Sequence, residues 1–281
     1  MITLIADNKE IPVEWVEFSD SALTCKVDSS VKDVKGTIHF NVCPTTPCKQ
    51  VLEEINLLIN SLTQLKGDLP SLELHLHYLP YARADRVFVE GNPNGLETFL
   101  QGIQFFFNKV HLFDVHNLEA VEQLFFGLTN DINHTNQVSC FQYTCKRYKG
   151  YAQKWDYVIA PDKGAKDKAK SIADMLGVPV VQASKERDIS TGRIIKTELD
   201  TTLPVGSRVI IADDILDAGG TFIPLAEELR SQGCTVDLYV THLIAAKGLD
   251  IFKGLFDNIY CYQTVAKYVN KQDVMNFNLG K

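Results

Sequence analysis

The segment Val209-Ile210-Ile211-Ala212-Asp213-Asp214-Ile215-Leu216-Asp217-Ala218-Gly219-Gly220-Thr221 concentrates more chemistry than any other stretch of the chain. An apolar, β-forming run feeds two adjacent carboxylates, then a loop of small residues, then Phe222 to Gln232 with helical spacing. In the loop Asp217-Ala218-Gly219-Gly220-Thr221, successive backbone N–H groups can converge on one anion, helped by the N-terminus of the following helix. The glycines permit close backbone approach, and the Thr221 hydroxyl adds a donor. Carboxylates repel a phosphate, so Asp213 and Asp214 suit the vicinal hydroxyls of a sugar, or Mg²⁺ held through water. Phosphate, diol and cation together describe a phosphorylated ribose. An acidic turn ahead of a glycine loop is the plain alternative. No Gly-Lys-Ser or Gly-Lys-Thr follows, so the segment is not a Walker A loop.

Other strand ends carry further candidates. His77-Tyr78-Leu79-Pro80-Tyr81-Ala82-Arg83-Ala84-Asp85-Arg86 offers two arginines, whose planar, permanent charge suits a polyphosphate and can stack on a base. Phe113-Asp114-Val115-His116 ends a strand with a histidine, a residue that is more often structural when it stands alone. Ala160-Pro161-Asp162-Lys163-Gly164-Ala165 places Asp162 between a strand and a helix start. Ala183-Ser184-Lys185-Glu186-Arg187-Asp188 sets Lys185 and Arg187 two residues apart in a polar, glycine-containing segment. The segment resembles the start of a flexible catalytic loop, and two cations there suit a reaction governed by charge stabilisation and water exclusion.

The elements that must position these residues alternate. Strands are expected at 37–42, 72–78 and 109–113, with helices at 48–65 and 95–107 and through Ala120, Val121, Leu124 and Phe125. Residues 130–154 are the least regular, and the domain boundary falls there. The alternation restarts with strands at 157–160, 178–182, 209–212, 236–241 and 258–262. Helices are expected at 163–176, stopped by Gly177, and at 222–232, stopped by Gly233. The chain therefore reads as α/β in two similar halves, 1–135 and 136–281, with ligands at the carboxyl ends of strands.

The bulk numbers agree with a globular enzyme. The chain has 281 residues, 45% hydrophobic and 22% charged, with a net charge of −7 that argues against an extended nucleic-acid surface. No apolar run is long enough to span a bilayer, and the N-terminus lacks the basic region of a secretory leader. Seven scattered cysteines fit reduced thiols and a cytoplasmic location.

In order over roughly residues 15 to 265, these segments resemble those of the ribose-phosphate pyrophosphokinase (PRPP synthetase) family. The 209–221 segment resembles the PRPP-binding fingerprint shared with type I phosphoribosyltransferases. His77 to Arg86 resembles a Tyr-Ala-Arg-Gln-Asp-Arg segment that ordinary phosphoribosyltransferases lack. Phe18-Ser19-Asp20 resembles a Phe-Ser-Asp-Gly-Glu segment that holds adenine across a subunit interface, and Thr241-His242 a Thr-His near the last strands.

The resemblance implies two phosphoribosyltransferase type I-like domains, each a mostly parallel sheet flanked by helices, with ATP on the N-terminal side and ribose phosphate on the C-terminal side. It implies ATP contacts from Phe18, Asp20, Arg83, Arg86 and His116, and Mg²⁺ contacts from His116 and Asp162. It implies catalytic roles for Lys185, Arg187 and His116, and ribose-phosphate binding by Asp213, Asp214 and Asp217 to Thr221. The expected activity is Mg²⁺-dependent transfer of a diphosphoryl group from ATP to the 1-hydroxyl of ribose 5-phosphate in a homo-oligomer, with no nucleic acid or membrane involved.

The chain departs from the pattern at Ser21-Ala22, at Ala84 and at Ala218. Its short N-terminus and its 185–192 segment resemble compact phage-type members, one branch of which uses ADP-ribose as acceptor. A PRPP-consuming phosphoribosyltransferase and a non-catalytic subunit are the other readings. The first leaves the tyrosine-arginine segment unexplained; the second conflicts with the retention of His116, Asp162, Lys185 and Arg187.

Overall fold

The computed structural model describes residues 1–125, 131–148, 154–187, 194–265 and 269–279, with the backbone alone at 185–187, 194–196, 276 and 279. The chain divides into two compact units, Met1–Thr135 and Asn136–Lys281.

The first unit runs β1 (Ile2–Ala6), β2 (Lys9–Ile11), β3 (Val13–Glu17), β4 (Leu23–Val27), β5 (Ile38–Val42), α1 (Cys48–Lys66), β6 (Leu72–Leu76), α2 (Gly95–Ile103), β7 (Lys109–Phe113), α3 (Leu118–Phe125) and β8 (Asp131–Thr135). Its main sheet has the order β2-β1-β5-β6-β7-β8, parallel from β5 onward and antiparallel at β1 and β2. Strands β5 to β8 advance in one direction, so right-handed crossovers put α1, α2 and α3 on the same face. Burial follows that rule. Ile38, Phe40 and Val42, Leu72, Leu74 and Leu76, and Val110 and Leu112 form one core with Val51, Ile55, Leu58 and Leu62 of α1. Each such side chain contributes about 1.5–3 kcal/mol on full burial. The alternate positions, His39, Asn41, Glu73, His75, Lys109 and His111, are half-buried and make the other face polar. The hairpin β3–β4 forms a separate two-stranded sheet.

The second unit runs α4 (Gln137–Arg147), β9 (Tyr157–Ala160), α5 (Lys166–Leu176), β10 (Val180–Arg187), β11 (Ile194–Leu199), β12 (Arg208–Leu216), α6 (Phe222–Ser231), β13 (Thr235–Leu243), β14 (Asn258–Thr264) and α7 (Lys271–Leu279). The sheet order is β11-β10-β9-β12-β13-β14. From β9 the chain passes through α5 to β10 on one side; from β12 it passes through α6 to β13 on the other. The winding therefore reverses between β9 and β12, a switch point where open α/β sheets receive ligands. Ala169, Ile172 and Ala173 of α5 pack with Ile210 and Ala212 on one face, and Leu225, Ala226 and Leu229 of α6 pack with Val209 and Ile211 on the other. Gly177 closes α5 in the left-handed conformation, its N–H bonded to Ala173 O.

The expected architecture, two α/β sheets that are mostly parallel, is present; several elements differ from the sequence reading. The stretch expected to be irregular contains β8 and α4. Helix α4 buries Gln137, Cys140, Phe141 and Thr144, a helical spacing in which two of the four residues are polar, so no apolar period shows. Its N-cap is Asn136, which accepts from Ser139 N at 3.0 Å. Strand β12 does not stop at Ala212 but continues through both aspartates to Leu216, paired with β13. Helix α5 starts at Lys166 rather than Lys163, because Asp162 Oδ1 accepts from Ala165 N and holds a turn first. Strand β10 extends beyond residue 182 to Arg187, paired antiparallel with β11, so the expected catalytic loop does not begin at Ala183. Four short strands precede the first one expected.

Candidate active site

The carboxyl ends of β9 and β12 bring Asp162, Asp213 and Asp214 to the switch point of the second unit. Asp214 is buried, and Lys168 of α5 reaches its carboxylate at 3.5 Å. Asp213 is half-buried and its Oδ1 accepts the N–H of Asp214 at 2.9 Å. Burial, then the charges of Asp214 and Asp162, push the Asp213 carboxyl well above the usual carboxylate range, against that hydrogen bond. A cluster in this condition gains from any ligand that brings positive charge or hydroxyl donors. Oxygen donors with an excess of negative charge suit a hard divalent cation such as Mg²⁺, so the residues present fit that ion.

The loop after β12 is shaped by its glycines. Gly219 has φ +82°, and a Cβ there would lie 2.6 Å from Phe252 Cε1 and 3.0 Å from Ile223 Cδ1. Its carbonyl accepts from Phe222 N and Ile223 N, folding the loop onto the first turn of α6. Gly220 is exposed, and a Cβ there would meet nothing within 4 Å. Thr221, in the N-cap position, has right-handed backbone angles. Asp217 to Thr221 thus stand at the positive end of a helix, next to open space, where an anion is stabilised. Replacing Gly219 by Ala is expected to destabilise the protein by about 1–3 kcal/mol, from the left-handed backbone and the aromatic clash together. Urea unfolding of the variant checks this, and an unchanged midpoint contradicts the loop geometry.

In the first unit, Tyr81 to Arg86 follow β6, and Asp114 to His116 follow β7, its neighbour in the sheet. Two non-glycine residues there, Tyr81 (φ 60°) and Asp114 (φ 40°), have left-handed backbone, a strain that concentrates at functional strand ends. Arg83, Arg86 and His116 are exposed. The structure adds a residue that the sequence reading passed over. Asp85 is buried, lies 3.3 Å from Arg86 Nε and accepts from Asn117 Nδ2 at 2.7 Å. It therefore ties the arginine loop to the segment carrying His116. Lys168 was likewise passed over. Neither was legible, because each role depends on a partner far along the chain.

Phe18 and Asp20 stand at the tip of the β3–β4 hairpin. Asp20 Oδ1 accepts from Ala22 N at 3.0 Å, Phe18 N donates to Ala22 O, and Ser21 takes φ 68°. Their hydrogen bonds stay within that turn, and Phe18 is 54% exposed. Lys185 and Arg187 lie in β10, opposite Thr197 and Ile194; their side chains fall outside the described part, as does Asp188. His116 and Asp162 belong to different units.

Comparison with known proteins bears on this arrangement. The phosphoribosyl transferase domain family matches residues 140–260, which include the switch point and the glycine loop. The ribose-phosphate pyrophosphokinase of Pyrococcus abyssi is 28% identical over 272 residues, 95% of this chain and 89% of that protein. That of Sulfurisphaera tokodaii is 30% identical over 223 residues, 79% of this chain and 73% of that protein. The crystal structure of phosphoribosylpyrophosphate synthetase from Mycobacterium smegmatis shares the fold, with a TM-score of 0.74 at 20% identity over 90% of this chain and 80% of that one. An identity of 30% sustained over nearly three quarters of a relative's length reaches from the arginine loop through the glycine loop, and the chain belongs to the ribose-phosphate pyrophosphokinase family.

Proposed function

We propose that the chain transfers the β,γ-diphosphoryl group of ATP to the 1-hydroxyl of ribose 5-phosphate, releasing AMP and forming PRPP. The observation that carries this reading is the crowding of Asp162, Asp213 and Asp214 beside a helix-capped glycine loop, in a member of this family. The loop Asp217 to Thr221 takes the 5-phosphate through backbone N–H groups. Asp213 and Asp214 accept the 2- and 3-hydroxyls and so orient the 1-hydroxyl. Arg83 and Arg86 bind the ATP phosphates, with Arg86 steadied by Asp85, and His116 stands at the end of the neighbouring strand. The 1-oxygen attacks the β-phosphorus in line and loses its proton to solvent; the bond from that phosphorus to the α,β-bridging oxygen breaks, and AMP leaves with that oxygen. Lys185 and Arg187 neutralise the moving phosphoryl charge. Mg²⁺ would supply charge neutralisation on the phosphates; Asp162 of the second unit is proposed to hold it on the ribose side, and His116 of the first unit to meet the ion carried by ATP.

Parallel incubations with ATP and Mg²⁺, one with ribose 5-phosphate and one with ADP-ribose, test this by chromatography of AMP. AMP release that depends on ribose 5-phosphate supports the reading. Release with ADP-ribose alone moves the acceptor to a nucleotide sugar. Conversion of PRPP with a base, without ATP cleavage, replaces it by a phosphoribosyltransferase.

The enzyme is further proposed to be cytoplasmic and homo-oligomeric. Among the described residues no helix is long and apolar enough to cross a membrane. Phe18 projects at a hairpin tip, and Val87, Phe88 and Val89 beside the arginine loop are each more than half exposed. A second subunit would cover such apolar surface. Light scattering combined with dilution kinetics is expected to show a dimer or larger and activity per chain that falls on dissociation. A fully active monomer would confine Phe18 and Asp20 to the turn they already form.

A further inference from the structure

The parallel register of the first sheet gathers imidazoles on its polar face. His39 of β5 lies opposite Glu73 of β6, and His75 lies two residues beyond Glu73, on the same face of that strand. His39 Nδ1 stands 3.1 Å from His75 Nε2 and 3.5 Å from Glu73 Oε2. One ligand atom from each of the three residues lies within 4.8 Å of the other two, and all three residues are half-buried. Two ligands bound at about 2.0–2.1 Å in tetrahedral geometry sit about 3.3 Å apart, so the first two separations already match a shared ion. None of these residues has a part in the diphosphoryl transfer described above.

The surroundings fix the ligands. Asn133 Nδ2 lies 3.1 Å from His111 Nδ1, which makes that nitrogen the acceptor and leaves the proton on Nε2. His111 Nε2 then donates to Glu73 Oε2 at 2.8 Å, an orienting contact of the kind that surrounds metal ligands. The His111 ring stacks on His75 at a centroid distance of 4.1 Å and an interplanar angle of 3°, holding that imidazole in place.

We propose that His39 Nδ1, His75 Nε2 and the Glu73 carboxylate form a Zn²⁺ site on the polar face of the first sheet, with water in the fourth position. Two imidazoles and one carboxylate select a borderline transition metal over Mg²⁺, which seeks oxygen donors and belongs with the acidic cluster of the second unit. The ion cross-links β5 to β6 and stiffens the sheet whose strand ends carry Arg83, Arg86 and His116. His111 and Asn133 are positioning residues.

The test is calorimetric titration of ZnCl₂ into the chelator-stripped full chain, without nucleotide or phosphate. One Zn²⁺ per chain is expected, lost in His39→Ala and in His75→Ala and retained in the Asp162→Asn/Asp213→Asn double variant. His111→Ala is expected to weaken binding by about 10–100-fold, as removal of an orienting partner does. Co²⁺ in place of Zn²⁺ should give the intense visible bands of a tetrahedral site, absent in His39→Ala. Should His75→Ala fail to fold, His39→Ala and Glu73→Gln, at half-buried positions, decide the matter. Binding unchanged in both of those variants, binding lost in the acidic double variant instead, or no tight Zn²⁺ in the native chain each overturns the site.

Discussion

Replacing Asp213 and Asp214 together by Asn is expected to raise the KM for ribose 5-phosphate by on the order of a hundredfold or more, because the charge-assisted hydrogen bonds to two hydroxyls proposed for this pair would be lost at about 1.5–3 kcal/mol each. ATP binding should survive, since the arginines assigned to it lie in the other unit. Stability should move the opposite way in the single variant Asp213→Asn. The folded Asp213 carboxyl is raised above its unfolded value of about 3.9. The stability it supplies is therefore fully present below that value and is lost as pH rises through the folded pKa. At neutral pH the ligand-free protein carries the penalty of a crowded carboxylate, and Asn removes it. Asp213→Asn should melt higher than the native chain at pH 7, with the advantage vanishing at acid pH. Steady-state kinetics and melting curves measure both. A collapse in ATP affinity with the acceptor still bound would mean that the two sites are assigned the wrong way round.

Lys185→Ala should lower kcat by roughly two to three orders of magnitude, the usual effect of removing one group that stabilises charge in a transition state. The lysine sits near the end of β10, two residues before Arg187. Diphosphoryl transfer leaves little covalent work to the protein, so fixed positive charge over the moving group carries much of the rate. Because this contribution belongs to the transition state, the KM values for both substrates should change far less than kcat. Retention of a near-native rate would remove the segment from the mechanism.

The legible parts of this molecule are those in which local pattern and local function coincide. Val209 to Thr221 announces itself because the apolar strand, the acids and the glycine loop are contiguous, and the structure keeps that order. Gly177 stops α5, and Gly233 follows the end of α6, as the helical spacing demands. Even so, β12 runs on through its aspartates: pairing with β13 overrides the low strand preference of aspartate. Helix α4 was hidden because tertiary context buries Gln137 and Thr144, the latter through a hydrogen bond to Cys140 O. Asp85 meets Asn117 across 32 residues, Lys168 meets Asp214 across the switch point, and His39 meets His75 through strand register. No local reading reaches such contacts, which exist only once the sheets have formed.

The central claim concerns which bond of ATP breaks. ATP carrying ³²P at its β-phosphorus, incubated with Mg²⁺ and ribose 5-phosphate, should leave unlabelled AMP and place the label in a diphosphate on the ribose 1-oxygen, with AMP and the labelled product in equal amounts, as read by anion-exchange chromatography. Labelled ADP would identify transfer of the γ-phosphoryl group alone, and labelled free diphosphate would identify hydrolysis; either result would contradict the diphosphoryl transfer assigned to this chain.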